Sequence, residues 1–210
     1  MTSSLKKTAV TGLIWSAIER FSVQGTQFIV TIILARLISP EDFGLIGMIT
    51  VFIALSDLII NGGFSQALIQ KKQRTQDDFS TVFYFNVLMA VFIYCLIYLL
   101  APYVAKFYNQ MSLIDILRIL AISVILKSFC VVQNAILSIK LNFKLRTKIN
   151  LLSALLSGTV AIYMAYKGLG VYALIYQTII FSVLVSIFSF TFIRWFPSLR
   201  FSFYSLSILF

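Results

Sequence analysis

Four ionisable residues lie deep inside long apolar stretches: the adjacent Glu19 and Arg20, then Asp57, then Lys127. A charge at the centre of a membrane helix costs roughly 2.5–3.5 kcal/mol on insertion scales. Four of them in a chain of 210 residues point to a hydrated cavity or pathway. The chemistry they support is the passage of something polar or charged rather than bond-making. The sequence has no histidine, which removes any Ser-His-Asp set, the commonest metal ligand and a usual proton relay. It has no glycine-rich phosphate loop and no metal-ligand cluster. No enzymatic activity and no cofactor are expected.

The elements that position these charges are apolar helices. Only 11% of the residues are charged, against about 25% in soluble domains. Apolar surface on this scale cannot hide in one small core, so the composition predicts an all-α integral membrane protein. Six spans, each close to the ~20 residues a bilayer needs, run over 10–35, 43–68, 79–104, 113–139, 149–167 and 171–193. Pro40, Pro102 and Pro197 read as span ends. Residues 1–200 form one six-helix lobe on this reading. The apolar residues from Phe201 to Phe210 read as the stump of a truncated seventh span. Lys6 and Lys7 precede the first span, but its apolar run is too long for a signal peptide.

The basic residues orient the lobe. Lys6, Lys7, Lys71, Lys72, Arg74, Lys140, Lys144, Arg146, Lys148, Arg194 and Arg200 fall on one side; Arg36, Lys106 and Lys167 fall on the other. The positive-inside rule then puts both termini in the cytoplasm. The net charge of +10 is explained by this flanking pattern, so nucleic acid is not an expected partner. Cys95 and Cys130 lie in apolar segments and read as small hydrophobes, not as a disulfide framework.

Polar residues inside the spans form stripes. In the first, Gly12, Ser16, Arg20, Gln24, Gln27 and Thr31 fall within about 120° of arc, with Glu19 at its edge. In the second, Gly47, Thr50, Ala54, Asp57 and Asn61 share a face. In the fourth, Ser123, Lys127, Asn134 and Ser138 lie within about 60°. The hydroxyls alone could be interhelical glue. The charges argue for a shared cavity, because neutral groups would glue at lower desolvation cost. Glu19 has two readings: it neutralises Arg20, or it belongs to the functional set. Arg118 is expected to pair with Asp115 and snorkel. Asn61, Gly62 and Gly63 offer a hinge or a close helix contact. Asp77 and Asp78 suit the start of the third span. Trp15, Tyr103, Tyr108, Tyr166 and Trp195 mostly suit an interfacial belt, with Trp15 the exception.

Four stretches carry a family resemblance: LARLISPEDFGLIGM (34–48), GFSQALIQKK (63–72) with TQDDFSTVF (75–83), the basic loop 140–148, and GLGVYAL (168–174). Together they resemble the Wzx-type polysaccharide flippases of the multidrug/oligosaccharidyl-lipid/polysaccharide exporter superfamily. The resemblance runs over essentially the whole chain, and 39–44 is its most specific part. It implies a bacterial inner-membrane protein that moves undecaprenyl-diphosphate-linked oligosaccharide between leaflets by alternating access. Such a flippase serves O-antigen, capsule or exopolysaccharide synthesis.

The resemblance also implies a second lobe, absent from this chain, and proton or sodium counter-flow. Polysaccharide polymerase and glycosyltransferases would be neighbours, with membrane lipids around. On this view Arg20 and Lys127, with Gln24, Gln27 and Asn134, contact the lipid-linked substrate, while Asp57 and Glu19 bind the coupling ion. The alternatives are a multidrug or cation exporter of the same superfamily, and a non-transporting partner subunit of a polysaccharide assembly complex.

Overall fold

The computed structural model describes residues 2–62, 64–71 and 74–198, with side chains from Ile14 onward except at 16, 61, 62 and 64. Its elements are α1 (Thr2–Leu37), α2 (Pro40–Gly62), α3 (Phe64–Gln70), α4 (Gln76–Phe107), α5 (Leu113–Ser128), α6 (Val131–Ile139), α7 (Phe143–Tyr166) and α8 (Val171–Ile193). The described chain is an all-α membrane protein. Gly63 and the segment 201–210 lie outside the described residues, as do the side chains of Gly12, Ser16 and Asn61.

Four stretches are long and apolar enough to cross a membrane: Pro40–Gln70 (α2 with α3), Gln76–Phe107, Phe143–Tyr166 and Val171–Ile193. The other two expected spans differ for physical reasons. In α1, Glu19, Arg20, Gln24 and Gln27 lower the hydropathy of an otherwise apolar helix. The expected span 113–139 is interrupted after Ser128, leaving α5 at 16 residues and α6 at 9. Pro102 is not at an element end, because α4 continues to Phe107.

The motifs that looked family-specific are helix punctuation. Ser39 caps α2 by accepting from the Asp42 amide at 3.2 Å, Pro40 is its first residue, and Glu41 and Asp42 occupy the first turn. Thr75 and Asp78 close a capping box on α4. Lys71 pairs with Asp78 at 2.8 Å, and Arg74 donates to the carbonyls of Leu68 and Ile69 at the end of α3. Asp78 is 1% exposed, and its removal leaves the Lys71 ammonium and the Thr75 amide without this acceptor. Asp78→Ala is expected to cost about 1–3 kcal/mol, read as a lower melting temperature of the detergent-solubilised protein.

The α7–α8 turn explains GLGVYAL. Gly168, at φ +78°, donates to Ala165, and Leu169 donates to Met164, a Schellman ending for α7. Gly170 then caps α8 at φ +51° and ψ −129°, a conformation that suits glycine. A Cβ at 170 would lie 2.8 Å from Asp42 Oδ2, so two resembling motifs meet in space.

The helices form an arc. α1 packs on α7, α7 on α8, α8 on α5, and α5 on α4, while α2 lies against α5, α4 and α8. The main core joins α2, α4, α5 and α8 through residues such as Ile49, Ile53, Ile97, Leu117, Leu120 and Ile175. A second joins α1, α7 and α8 through Val30, Leu34, Ala161, Ala165 and Ala173. Small residues on α7 allow close approach, and side-chain hydroxyls such as Ser153 donate back to the helix backbone. Phe28, Leu58, Leu99 and Tyr103 project outward, as lipid-facing side chains do. After α8, Trp195 Nε1 donates to Gln76 Oε1 at 2.9 Å and Ser198 bonds Ser80, which ties the segment to the start of α4.

Candidate functional site

Lys127 stands in the last turn of α5, just before the interruption, and Asp57 stands on α2. Lys127 Nζ donates to Asp57 Oδ2 at 2.6 Å. Their side chains are 30% and 32% exposed, so the pair faces a hollow instead of being sealed in the core. That hollow, about 200 Å³, is also lined by Cys130, Asn134, Asn150, Phe181 and Ser182.

Two further hollows adjoin it. One, of about 480 Å³, shares Lys127 and Phe181 and adds Gln27, Thr31, Thr50, Ser157, Gln177 and Thr178. The other, of about 460 Å³, shares Asn150 and adds Glu19, Arg20, Phe21, Val23 and Gln24. The shared residues make one polar trough walled by α1, α2, α5, α6, α7 and α8.

Glu19 and Arg20 part company in this trough. Adjacent helix residues point about 100° apart and do not face each other. Glu19 is 8% exposed and turns to α7, where it accepts from Asn150 Nδ2 at 2.7 Å and lies 3.2 Å from Arg146 Nε. Glu19 therefore balances Arg146. Arg20 is exposed in the hollow and has no ion-pair partner among the described residues.

All seven residues singled out from sequence line the trough: Glu19, Arg20, Gln24, Gln27, Asp57, Lys127 and Asn134. Other expectations are revised. Ser123 is fully buried and does not line it. Arg118 sits 4.0 Å over the Tyr98 ring instead of pairing with Asp115, because a cation finds an aromatic face where water is scarce. Trp15 lies under Lys144, 5.6 Å away. Cys130 is buried beside Ser186, whereas Cys95 is exposed.

Sequence reasoning missed Arg146, Asn150, Ser157, Gln177, Thr178 and Ser182. Arg146 precedes the expected start of the fifth span at 149, whereas α7 already includes it. The signal was available: Asn142 accepts from the Leu145 amide and starts α7 at Phe143.

A family model described as "Polysaccharide biosynthesis protein" matches residues 33–210. The chain belongs to this polysaccharide biosynthesis protein family. The match includes Asp57, Lys127, Asn134 and the whole of α7 and α8; Glu19, Arg20, Gln24 and Gln27 precede it. Relatives of this family member include an uncharacterized membrane protein in the cps region of Klebsiella pneumoniae, 26% identical over 72% of this chain and 31% of the relative. The succinoglycan biosynthesis transport protein ExoT of Rhizobium meliloti is 24% identical over 81% of this chain and 35% of its own length. The lipopolysaccharide biosynthesis protein WzxC of Escherichia coli is 27% identical over 57% and 24%. The polysaccharide biosynthesis chain thus spans about a third or less of the length of these relatives. No solved structure matches it.

Proposed function

We propose that this chain is the amino-terminal lobe of a flippase for undecaprenyl-diphosphate-linked oligosaccharide in a bacterial inner membrane, with both termini cytoplasmic. The observation that carries the reading is the polar trough with the Lys127–Asp57 pair inside it. A membrane protein whose only task is anchorage gains nothing from a half-exposed ion pair among apolar helices. The trough walls carry two cations, Arg20 and Lys127, against two carboxylates, Glu19 and Asp57, and Arg146 lies behind Glu19 at 3.2 Å. With Lys127 against Asp57 and Arg146 against Glu19, Arg20 is the cation left in the trough without an ion-pair partner among the described residues, which suits a diphosphate.

The pair supplies a coupling mechanism. With Asp57 ionised, the Lys127 ammonium is held by it. A proton or sodium ion on Asp57 cancels that charge and frees Lys127 for the phosphate oxygens. Arg20 already points into the trough and gives the first contact. Gln24, Gln27 and Asn134 add neutral hydrogen bonds. Glu19, held by Arg146 and Asn150, ties α1 to α7 and is the second candidate for the coupling ion. Alternating access requires a second lobe across the trough, and the relatives' greater length is consistent with one. Polymerase and glycosyltransferases would act on the two sides of this step.

The test is a clean deletion in the host. Lipid-linked oligosaccharide is expected to accumulate in the cytoplasmic leaflet while surface polymer disappears. Normal surface polymer, or accumulation only of the sugar-free lipid carrier, would argue for the non-transporting subunit instead.

A further inference from the structure

The trough is chemically divided along its length. Its charged groups, Glu19, Arg20 and the Lys127–Asp57 pair, lie in the end and middle hollows. The 480 Å³ hollow beyond them has a different wall. Among the described residues Lys127 is its one charged residue, and that charge is matched by Asp57 at 2.6 Å. The volume falls within the ~300–1,000 Å³ of small-molecule sites.

Three of the hydroxyls in this hollow have their protons committed. Thr50 donates its hydroxyl proton to the Ile46 carbonyl, Ser157 to Ala154 and Thr178 to Leu174. Their hydroxyl oxygens are therefore left as acceptors. Gln27 on α1 and Gln177 on α8 each supply two donors and a carbonyl acceptor, and among the described residues neither carboxamide has a hydrogen-bond partner. A wall of uncommitted amide donors and hydroxyl acceptors, without spare charge, matches a ligand whose own groups both donate and accept. Sugar hydroxyls do this; a carboxylate or phosphate only accepts. Phe181 adds an apolar surface at the junction with the middle hollow.

From this we infer that the Gln27–Gln177 hollow is the subsite for an uncharged sugar residue, separate from the cationic end that takes the diphosphate. The inference rests on the flippase reading above and adds a specificity to it. Residues that decide which sugar is accepted are then Gln27 and Gln177, with Thr50, Ser157 and Thr178 as their acceptors.

The test uses the full-length protein, purified without glycosidic detergent, and three probes: a polyprenyl diphosphate, the same lipid bearing a neutral hexose, and the same lipid bearing a hexuronate. The unaltered protein is expected to bind the hexosyl lipid about tenfold more tightly than the bare lipid, the yield of two or so neutral hydrogen bonds. The hexuronyl lipid should gain little. Gln177→Leu and Thr178→Val should abolish the hexosyl preference and leave bare-lipid affinity unchanged, which also certifies folding. A hexosyl preference that survives both substitutions, or a preference for the hexuronyl lipid, would overturn this inference alone. If no probe binds the unaltered protein, the flippase reading and this subsite both fall.

Discussion

Lys127→Ala is expected to abolish polysaccharide export while the amount of protein in the membrane stays unchanged. The two halves of that expectation rest on different observations. The functional half rests on position: Lys127 lines both the middle hollow and the neutral hollow, so substrate passing through the trough must pass it. The structural half rests on exposure. Deeply buried pairs cost about 3–5 kcal/mol when one partner is removed, and exposed pairs about 0–1. At 30% and 32% exposure this pair falls between, at about 1–2 kcal/mol after solvent screening.

Two further variants separate charge from stability. Asp57→Asn removes the carboxylate charge and is expected to uncouple export from the ion gradient. Combining Lys127→Ala with Asp57→Ala leaves no stranded charge, so membrane abundance should be full while export stays absent. Surface polymer measured per unit of membrane protein reads all three. Recovery of export in the double variant would mean that the pair only holds α2 to α5.

Gly158→Leu has the second largest expected effect, on assembly of the lobe. Gly158 lies where α7 meets α1, and even an alanine Cβ there would sit 2.6 Å from Val30 Cγ2. Valine is stiff in a helix, so Val30 cannot swing away cheaply. Gly158→Ala should cost about 1–3 kcal/mol by overpacking, and Gly158→Leu more. The same helix pair carries Glu19 to Asn150 and Arg146, so wedging it apart should also impair export. Val30→Ala should restore the melting temperature of Gly158→Ala but not that of Gly158→Leu. A Gly158→Leu protein that melts like the unaltered one would show that α1 and α7 are not packed at this contact.

The sequence made the membrane class and the sixth span plain, because uninterrupted apolar runs leave few alternatives; α8 covers 171–193 as expected. Charges in such runs are so costly that they single themselves out, and Glu19, Arg20, Asp57 and Lys127 all line the trough. Pairing was not legible. Lys127 and Asp57 are 70 positions apart, and nothing in one sequence states that α2 and α5 meet. The adjacency of Glu19 and Arg20 suggested a local pair, but helix geometry sends them to different neighbours. The interruption after Ser128 carries no proline or glycine signal. The neutral hollow went unseen because Gln177 and Thr178 are ordinary residues in an apolar span and gain meaning only opposite Gln27.

The central claim is that the trough carries a lipid diphosphate across the membrane and that Lys127 is required for it. Its most direct measurement is leaflet exchange of a polyprenyl-diphosphate-linked oligosaccharide in liposomes containing the full-length protein, with and without an imposed proton or sodium gradient. The account predicts gradient-stimulated exchange with the unaltered protein and none above protein-free liposomes with Lys127→Ala. Equal exchange by the two proteins, at matched incorporation, would contradict it.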